Sequence, residues 1–243
     1  MEALADPHRE AIDIGANVGH YAMQLSRLVP RVHAFEPHPR LAYVLRRNLP
    51  GNVHVSNQAV SNQDGRAVLT APVFSRPVEG MASISPGAAI FGQAERVTRV
   101  RVRCTTLDSM AGRDIGFVKV DVEGHEMQVL AGAAVLIAQQ RPVFLVEVEE
   151  RHRAGAVQAA FDYFSGKNYA GFFVWKASLC PVEMFAMAMQ DLTLVAPGAP
   201  RKSSEYVNNF IFVAREQWSA SWELRVTALL SAARNLDLAT AVA

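Results

Sequence analysis

The stretch AIDIGANVGHYA, residues 11 to 22, restricts the fold more than any other, because an apolar run breaks at two glycines and passes at once into a helical period. Beyond Gly15 and Gly19, the residues Ala22, Leu25 and Leu28 keep the spacing of one helix face, and RVHAF then reads as a short strand. The order is strand, glycine turn, helix, strand, which is the repeating unit of a parallel sheet.

The alternation continues. After the turn EPHPR, Leu41, Val44, Leu45 and Leu49 form a second helical stripe, and NVHVSNQAV predicts a third strand followed by GRAVLTA. Residues 72–95, rich in Pro, Gly, Ser and Ala, fit neither period and read as a long loop. VTRVRVRC sets Val100, Val102 and Cys104 on one strand face and Arg99, Arg101 and Arg103 on the other, the pattern of a strand with one solvated face. IGFVKVDVEG then reads as a buried strand, HEMQVLAGAAVLIAQQ as one helix and PVFLVEVEE as a strand. This pattern predicts a doubly wound α/β fold with a mostly parallel sheet.

The last third is less regular: a helix at 154–167, the strands YAGFFVW and NNFIFVAR as an antiparallel hairpin at the sheet edge, and core-filling methionines in VEMFAMAMQ. In the tail, Trp218, Trp222, Val226, Leu229, Ala233 and Leu236 keep helical spacing, so this helix buries one face against the body or a partner subunit. The expected division is a domain over 1–213, with its cofactor half at about 9–150, and a helical tail over 214–243 that is a candidate dimer contact. Loops 72–95 and 176–205, with Phe74, Phe91, Met184 and Phe185, are expected to shape a partly apolar substrate pocket.

Composition excludes some classes. Lys and Arg total 24 against 23 acidic residues, so no overall field draws the chain to nucleic acid or anionic lipid, and neither is expected as a partner. Cys104 and Cys180 fit neither a metal-ligand spacing nor a disulfide framework and read as reduced core thiols. MEALADPHRE lacks a basic flank followed by an apolar run, and no segment reaches the roughly 18 apolar residues of a membrane span. A cytoplasmic protein is the expectation.

The glycine turn sits where open parallel sheets bind ligands, beyond the carboxyl end of the first strand. A glycine pair alone is also an ordinary turn. The second feature is Glu36 in AFEPHP, about 20 residues on, where a carboxylate meets the two ribose hydroxyls of an adenosine cofactor and repels a 2′-phosphate. NAD and FAD require G-x-G-x-x-G, whereas this chain has G-A-N-V-G-H, with no middle glycine. A cofactor without phosphates, S-adenosylmethionine (SAM), fits better, with its carboxylate by the helix start and its sulfonium near Asp13 or Asp121.

IDIGANVGHYA, FEPHP, VKVDVEGHEMQVLAG and LVEVEE, in that order, resemble the signature blocks of FkbM-type SAM-dependent methyltransferases over roughly residues 11–150. NQAVSNQDG, TTLDSM and NNFIFV are similar to minor blocks of the family. The resemblance implies a seven-stranded Rossmann-like methyltransferase sheet and methyl transfer, typically to a hydroxyl of a sugar, polyketide or related metabolite. It further implies that Asp13, Gly15, Asn17 and Gly19 hold the amino acid end of the cofactor, Glu36 the ribose, and the backbone around Gln58 and Ala59 the adenine. The chain departs from the pattern in two places. Asn57 and Gln58 stand where many methyltransferases offer the adenine an acid, and only about ten residues precede the first strand where relatives carry a covering extension.

An alcohol acceptor needs a base. Asp121, Glu123, Glu147 and Glu149 fall at the carboxyl ends of the fourth and fifth strands, and the period of two puts Lys119, Asp121 and Glu123 on one face of the fourth and Glu147 with Glu149 on one face of the fifth. Crowded carboxylates raise one another's pKa, which suits general base work. Asp121 or Glu123 is expected as the base and Glu147 as the residue that positions the acceptor; His125 and His152 are alternative bases. No metal is expected, because no third ligand accompanies Asp121 and Glu147. The competing readings are an adenosine-binding module without catalysis and an NAD-dependent oxidoreductase.

Overall fold

A computed structural model describes residues 1–73, 82–85, 96–191, 193, 205–219, 222–224 and 226–228. Expectations that fell on Phe74, Phe91, Leu229, Ala233 and Leu236 lie outside the described residues.

The chain begins with β1 (Glu10–Ile14), α1 (His20–Leu25), β2 (Val32–Phe35), α2 (Pro39–Asn48) and β3 (Val53–Ser56). Three further strands follow: β4 (Ala59–Val60), β5 (Gly65–Val73) and β6 (Arg96–Thr105). Then come β7 (Ile115–Val120), α3 (Glu126–Ala131), α4 (Ala134–Gln140), β8 (Val143–Glu147), α5 (Ala156–Gly166), β9 (Tyr169–Trp175), β10 (Ser178–Pro181) and β11 (Asn209–Ala214).

Eight strands form the main sheet in the order β10-β9-β11-β8-β7-β1-β2-β3. From β3 to β8 all pairs are parallel, as the alternation with helices requires. Successive residues of β7 feed opposite cores: Phe117 packs with Leu25, Val32 and Leu145 on one side, Val118 and Val120 with Val129, Phe144 and Phe164 on the other. The tail residues Trp222 and Val226 are buried in the first of these cores. Both cysteines are buried and free.

Five expectations need correction. Of the methionines read as core filler, Met184 and Met187 are exposed. The sheet has eight strands rather than seven. YAGFFVW and NNFIFVAR do pair antiparallel, but β11 inserts between β8 and β9, and the edge is β10. β10 folds back on β9 through Lys176 and Ala177, both with positive φ (48° and 60°) as a tight two-residue hairpin demands. The third strand stops at Ser56; the amide of Asn57 turns the chain by donating to the carbonyls of Glu36 and Pro37 at 2.9 and 2.8 Å, and β4 joins a separate sheet of order β4-β6-β5. The helix over 125–140 breaks at Gly132, whose backbone lies so close to Ser61 that a Cβ would come within 2.2 Å of its carbonyl oxygen. Asp108 Oδ1 accepts both amides at the new helix start, Val135 and Leu136, each at 2.9 Å.

On the second sheet, Arg103 lies opposite Arg66 and Arg101 opposite Val68, and this face is exposed. Its other face carries buried Leu69, Val102 and Cys104.

Candidate active site

The carboxyl ends of β1, β2 and β7 and the turn after β3 open into a cleft. Its walls include Gly15, Asn17, Glu36, Gln58, Ala59, Asp121 and Glu123.

Gly15 has φ +78°, and a Cβ there would stand 1.8 Å from the carbonyl oxygen of Asp121. The glycine thus lets the ends of β1 and β7 touch. Asn17 takes the left-handed conformation that its side chain tolerates (φ 51°), and this aims its amide at Glu36 Oε2, 2.8 Å away. The amide of His38 donates to Glu36 Oε1 at 2.7 Å. Glu36 is so held by two backbone donors on the cleft wall, where burial pushes its pKa up to about 7 against the pull of those donors.

Two predicted cofactor residues stand apart from this wall. Gly19, with φ +90°, turns its bare α-carbon to Leu45 and Leu49. Asp13 lies behind the cleft, 1% exposed, with Oδ2 lacking a hydrogen-bond partner among the described residues. Burial raises its pKa to about 7, opposed by Lys119. At the far end, Ser56 donates to Gln58 Oε1 at 2.7 Å, and Val60, Leu69, Ala82 and Ile84 add apolar surface.

Ala82 and Ile84 belong to the 72–95 stretch expected to shape the pocket, but its lack of period gave no sign of which residues would do so. Ser83 pairs its backbone with Thr70, two bonds of 2.9 Å. Ser85 Oγ donates to the Gly124 carbonyl at 3.0 Å and lies 3.0 Å from His125 Nδ1, while His125 Nε2 lies 2.9 Å from Ser61 Oγ. One ring nitrogen of the neutral imidazole donates and the other accepts, so the two serines hold it from both sides. Burial lowers the His125 pKa to about 4, so this histidine is a neutral clamp with both nitrogens engaged, not a base.

The carboxylates expected at the rim separate into distinct roles. Asp121 and Glu147 lie within hydrogen-bond reach of each other; burial raises the pKa of both, Glu147 to about 7. Asn208 fixes Glu147 from β11 by donating to Oε1 at 2.7 Å. Glu149 is different: burial would raise its pKa, but Arg151 donates to both oxygens at 2.7 and 2.8 Å and Tyr206 adds a third bond, so it is held below its ordinary value as an ion-pair anchor. Glu126 accepts the amide of Gly124 at 2.8 Å and secures the turn before its own helix. Glu123, with φ 50°, reaches the cleft and sits 2.9 Å from His152 Nε2; burial lowers the histidine's pKa, but this carboxylate more than compensates and raises it.

Beneath the Asp121 and Glu147 pair lies Lys119, a residue given no role by the sequence. It is fully buried, with Nζ 3.7 Å from Asp121 Oδ2 and 3.7 Å from Glu147 Oε2. Among the described residues no group of three His, Cys, Asp or Glu side chains is arranged to hold a metal.

The profile of the methyltransferase FkbM domain matches residues 13–172, from β1 into β9. The chain belongs to the FkbM methyltransferase family. Its fold is similar to that of the FkbM methyltransferase from Methylobacillus flagellatus KT, at a TM-score of 0.53 and 14% identity over 85% of this chain. It spans 44% of that relative's length. Weaker likenesses include the precorrin-6y C5,15-methyltransferase from Geobacter metallireducens GS-15 (TM-score 0.41, 14% identity, 71% of this chain and 68% of that one). Another is the magnesium protoporphyrin IX methyltransferase from Synechocystis PCC 6803 with bound SAM (TM-score 0.42, 9% identity, 86% and 71%). No curated protein matches the chain. In this FkbM chain IDIGANVG, FEPHP and VKVDVEGH each contribute residues to the walls of one cleft, and LVEVEE brings Glu147 beside Asp121.

Proposed function

We propose that this FkbM protein transfers a methyl group from SAM to a hydroxyl oxygen of a small metabolite, sugar or polyketide-like acceptor. The observation that carries the reading is Glu36, fixed by the amides of Asn17 and His38 on the cleft wall that also holds Asp121. A carboxylate held on both sides keeps its remaining lone pairs for two vicinal hydroxyls. The cleft residues fit an adenosine cofactor in other respects too: the unpaired Asp13 Oδ2 adds negative potential behind the site for a sulfonium, and Ala59, Leu69 and Ile84 offer an apolar slot to a base.

SAM, when bound, supplies an electrophilic methyl group on a positive sulfur. The chain's own residues align the acceptor and remove its proton. Asn208 orients Glu147, and Glu147 and Asp121 together take up the hydroxyl proton; with Glu147 near pH 7 the pair accepts at neutral pH. Glu123 at the cleft mouth, paired with His152, bounds the acceptor side.

Calorimetry with SAM, S-adenosylhomocysteine (SAH) and NAD tests the reading. Binding of both sulfur ligands and not NAD, lost in Glu36→Ala, is the expected result; binding of NAD alone overturns it. Transfer of a labelled methyl group to a hydroxylated acceptor then separates an enzyme from an adenosine-binding module.

A further inference from the structure

We infer that Lys119 is an internal counter-cation, whose ammonium takes the place between Asp121 and Glu147 that a divalent metal takes in carboxylate sites and makes ionisation of the pair less costly. A lysine at the centre of a five-stranded parallel array is costly to bury and is retained only with compensating charge. Here the compensation is concentrated on one atom. Across the ladder Lys119 is paired with Asp13 on one side and Leu145 on the other, so it stands in mid-sheet with no path to solvent along its own strand.

Its Nζ donates to the carbonyl of Val120 at 3.3 Å and to Asn209 Oδ1 at 3.4 Å, and the Tyr21 ring covers it at 5.0 Å. The two carboxylates are equidistant at 3.7 Å, in contact range for charge but beyond a good hydrogen bond. Such spacing attracts both carboxylates without committing the lysine's protons to either. β1, α1, β7, β8 and β11 each contribute a neighbour, so the position of the ammonium is fixed by the whole sheet rather than by one loop. Lys119 is therefore a positioning residue, acting through Asp121 and Glu147; its catalytic meaning rests on the methyl-transfer reading, but its electrostatic role does not.

The titratable groups around the pair are Asp13 from β1, Tyr21 from α1, Glu123 beyond β7, and Glu149 beyond β8, with Lys119 itself. Arg151 and His152 stand one step further out, paired with Glu149 and Glu123, so Lys119 is the cation in direct reach of both members of the pair.

The test is a carboxyl-carbon NMR titration of the full chain labelled at Asp and Glu, with Asp121→Asn and Glu147→Gln used for assignment. In Lys119→Met, which replaces the ammonium by an apolar group of similar length, the midpoints of Asp121 and Glu147 are expected to rise by about one pH unit or more while that of Glu36 stays put. Unchanged midpoints in the folded variant overturn the proposal. Equimolar manganese(II) added to the wild-type protein provides an arm that does not depend on the variant's folding: the two resonances are expected to remain sharp, and paramagnetic broadening of either overturns the proposal. SAH calorimetry on the same samples reports the cofactor reading separately, since a failure to bind SAH leaves both carboxyl readouts intact.

Discussion

Ser85 and His125, forty positions apart, meet at 3.0 Å beside the cleft, and with the Ser85 bond to Gly124 they fasten residues 82–85 to the turn after β7. Ser85→Ala removes the fastening without touching the cleft floor. About 1 kcal/mol is at stake, so SAH affinity should fall by roughly fivefold in calorimetry with little change in melting temperature.

His125 itself makes a pH-dependent contribution. Its folded pKa is lowered by burial to about 4, below its ordinary value, so the stability it provides is present above pH 6.5 and is lost as pH falls toward 4. Urea denaturation of wild type and His125→Asn should show a stability difference that is largest at pH 7 and shrinks between pH 6 and pH 4.

Buried Asp13, Glu36, Glu126 and Glu147 act in the opposite direction. Burial raises each to about 7, so they favour the ligand-free fold at acid pH, and that contribution disappears as pH rises from the ordinary carboxylate range to about 7. In the proposed complex the ribose hydroxyls would donate to the ionised form of Glu36. SAH binding should therefore tighten from pH 6 to pH 8, and Glu36→Gln should flatten that dependence in calorimetry.

Gly15→Ala places a methyl group 1.8 Å from the Asp121 carbonyl in a left-handed backbone conformation. The ends of β1 and β7 must separate, at a cost of about 2–4 kcal/mol by denaturation, and SAH binding should be lost. By contrast Asp108→Ala, which frees the amides of Val135 and Leu136 far from the cleft, should cost about 1 kcal/mol and leave SAH affinity unchanged.

The parallel half of the sheet was legible because its strands are apolar on both faces and its helices keep a clean period. What escaped was set by tertiary contact. The hairpin between β9 and β10 turns on Lys176 and Ala177, which carry none of the Gly or Asn signals that usually mark positive φ. The break at Gly132 follows from the approach of Ser61, seventy-one residues earlier, and leaves the apolar spacing intact. In the site, Glu36 and the rim carboxylates could be placed by spacing alone, but which of them is free and which is neutralised could not. Arg151 and Tyr206 occupy Glu149, His152 faces Glu123, and Lys119 supports Asp121 and Glu147 from beneath. Asn17, expected at the amino acid end of the cofactor, is seen to donate its backbone amide to Glu36, a link that no sequence spacing announces.

Each of the two borders of the main sheet carries a feature that hinders the addition of another strand. β10 ends in Pro181, which has no amide proton to offer an incoming strand, and at β3 the Arg46 guanidinium caps the Val55 carbonyl with two donors at 3.3 Å. Each border is thus blunted by a single side chain, so that replacing Pro181 or Arg46 exposes a template on which another copy can add its own strand and start an aggregate.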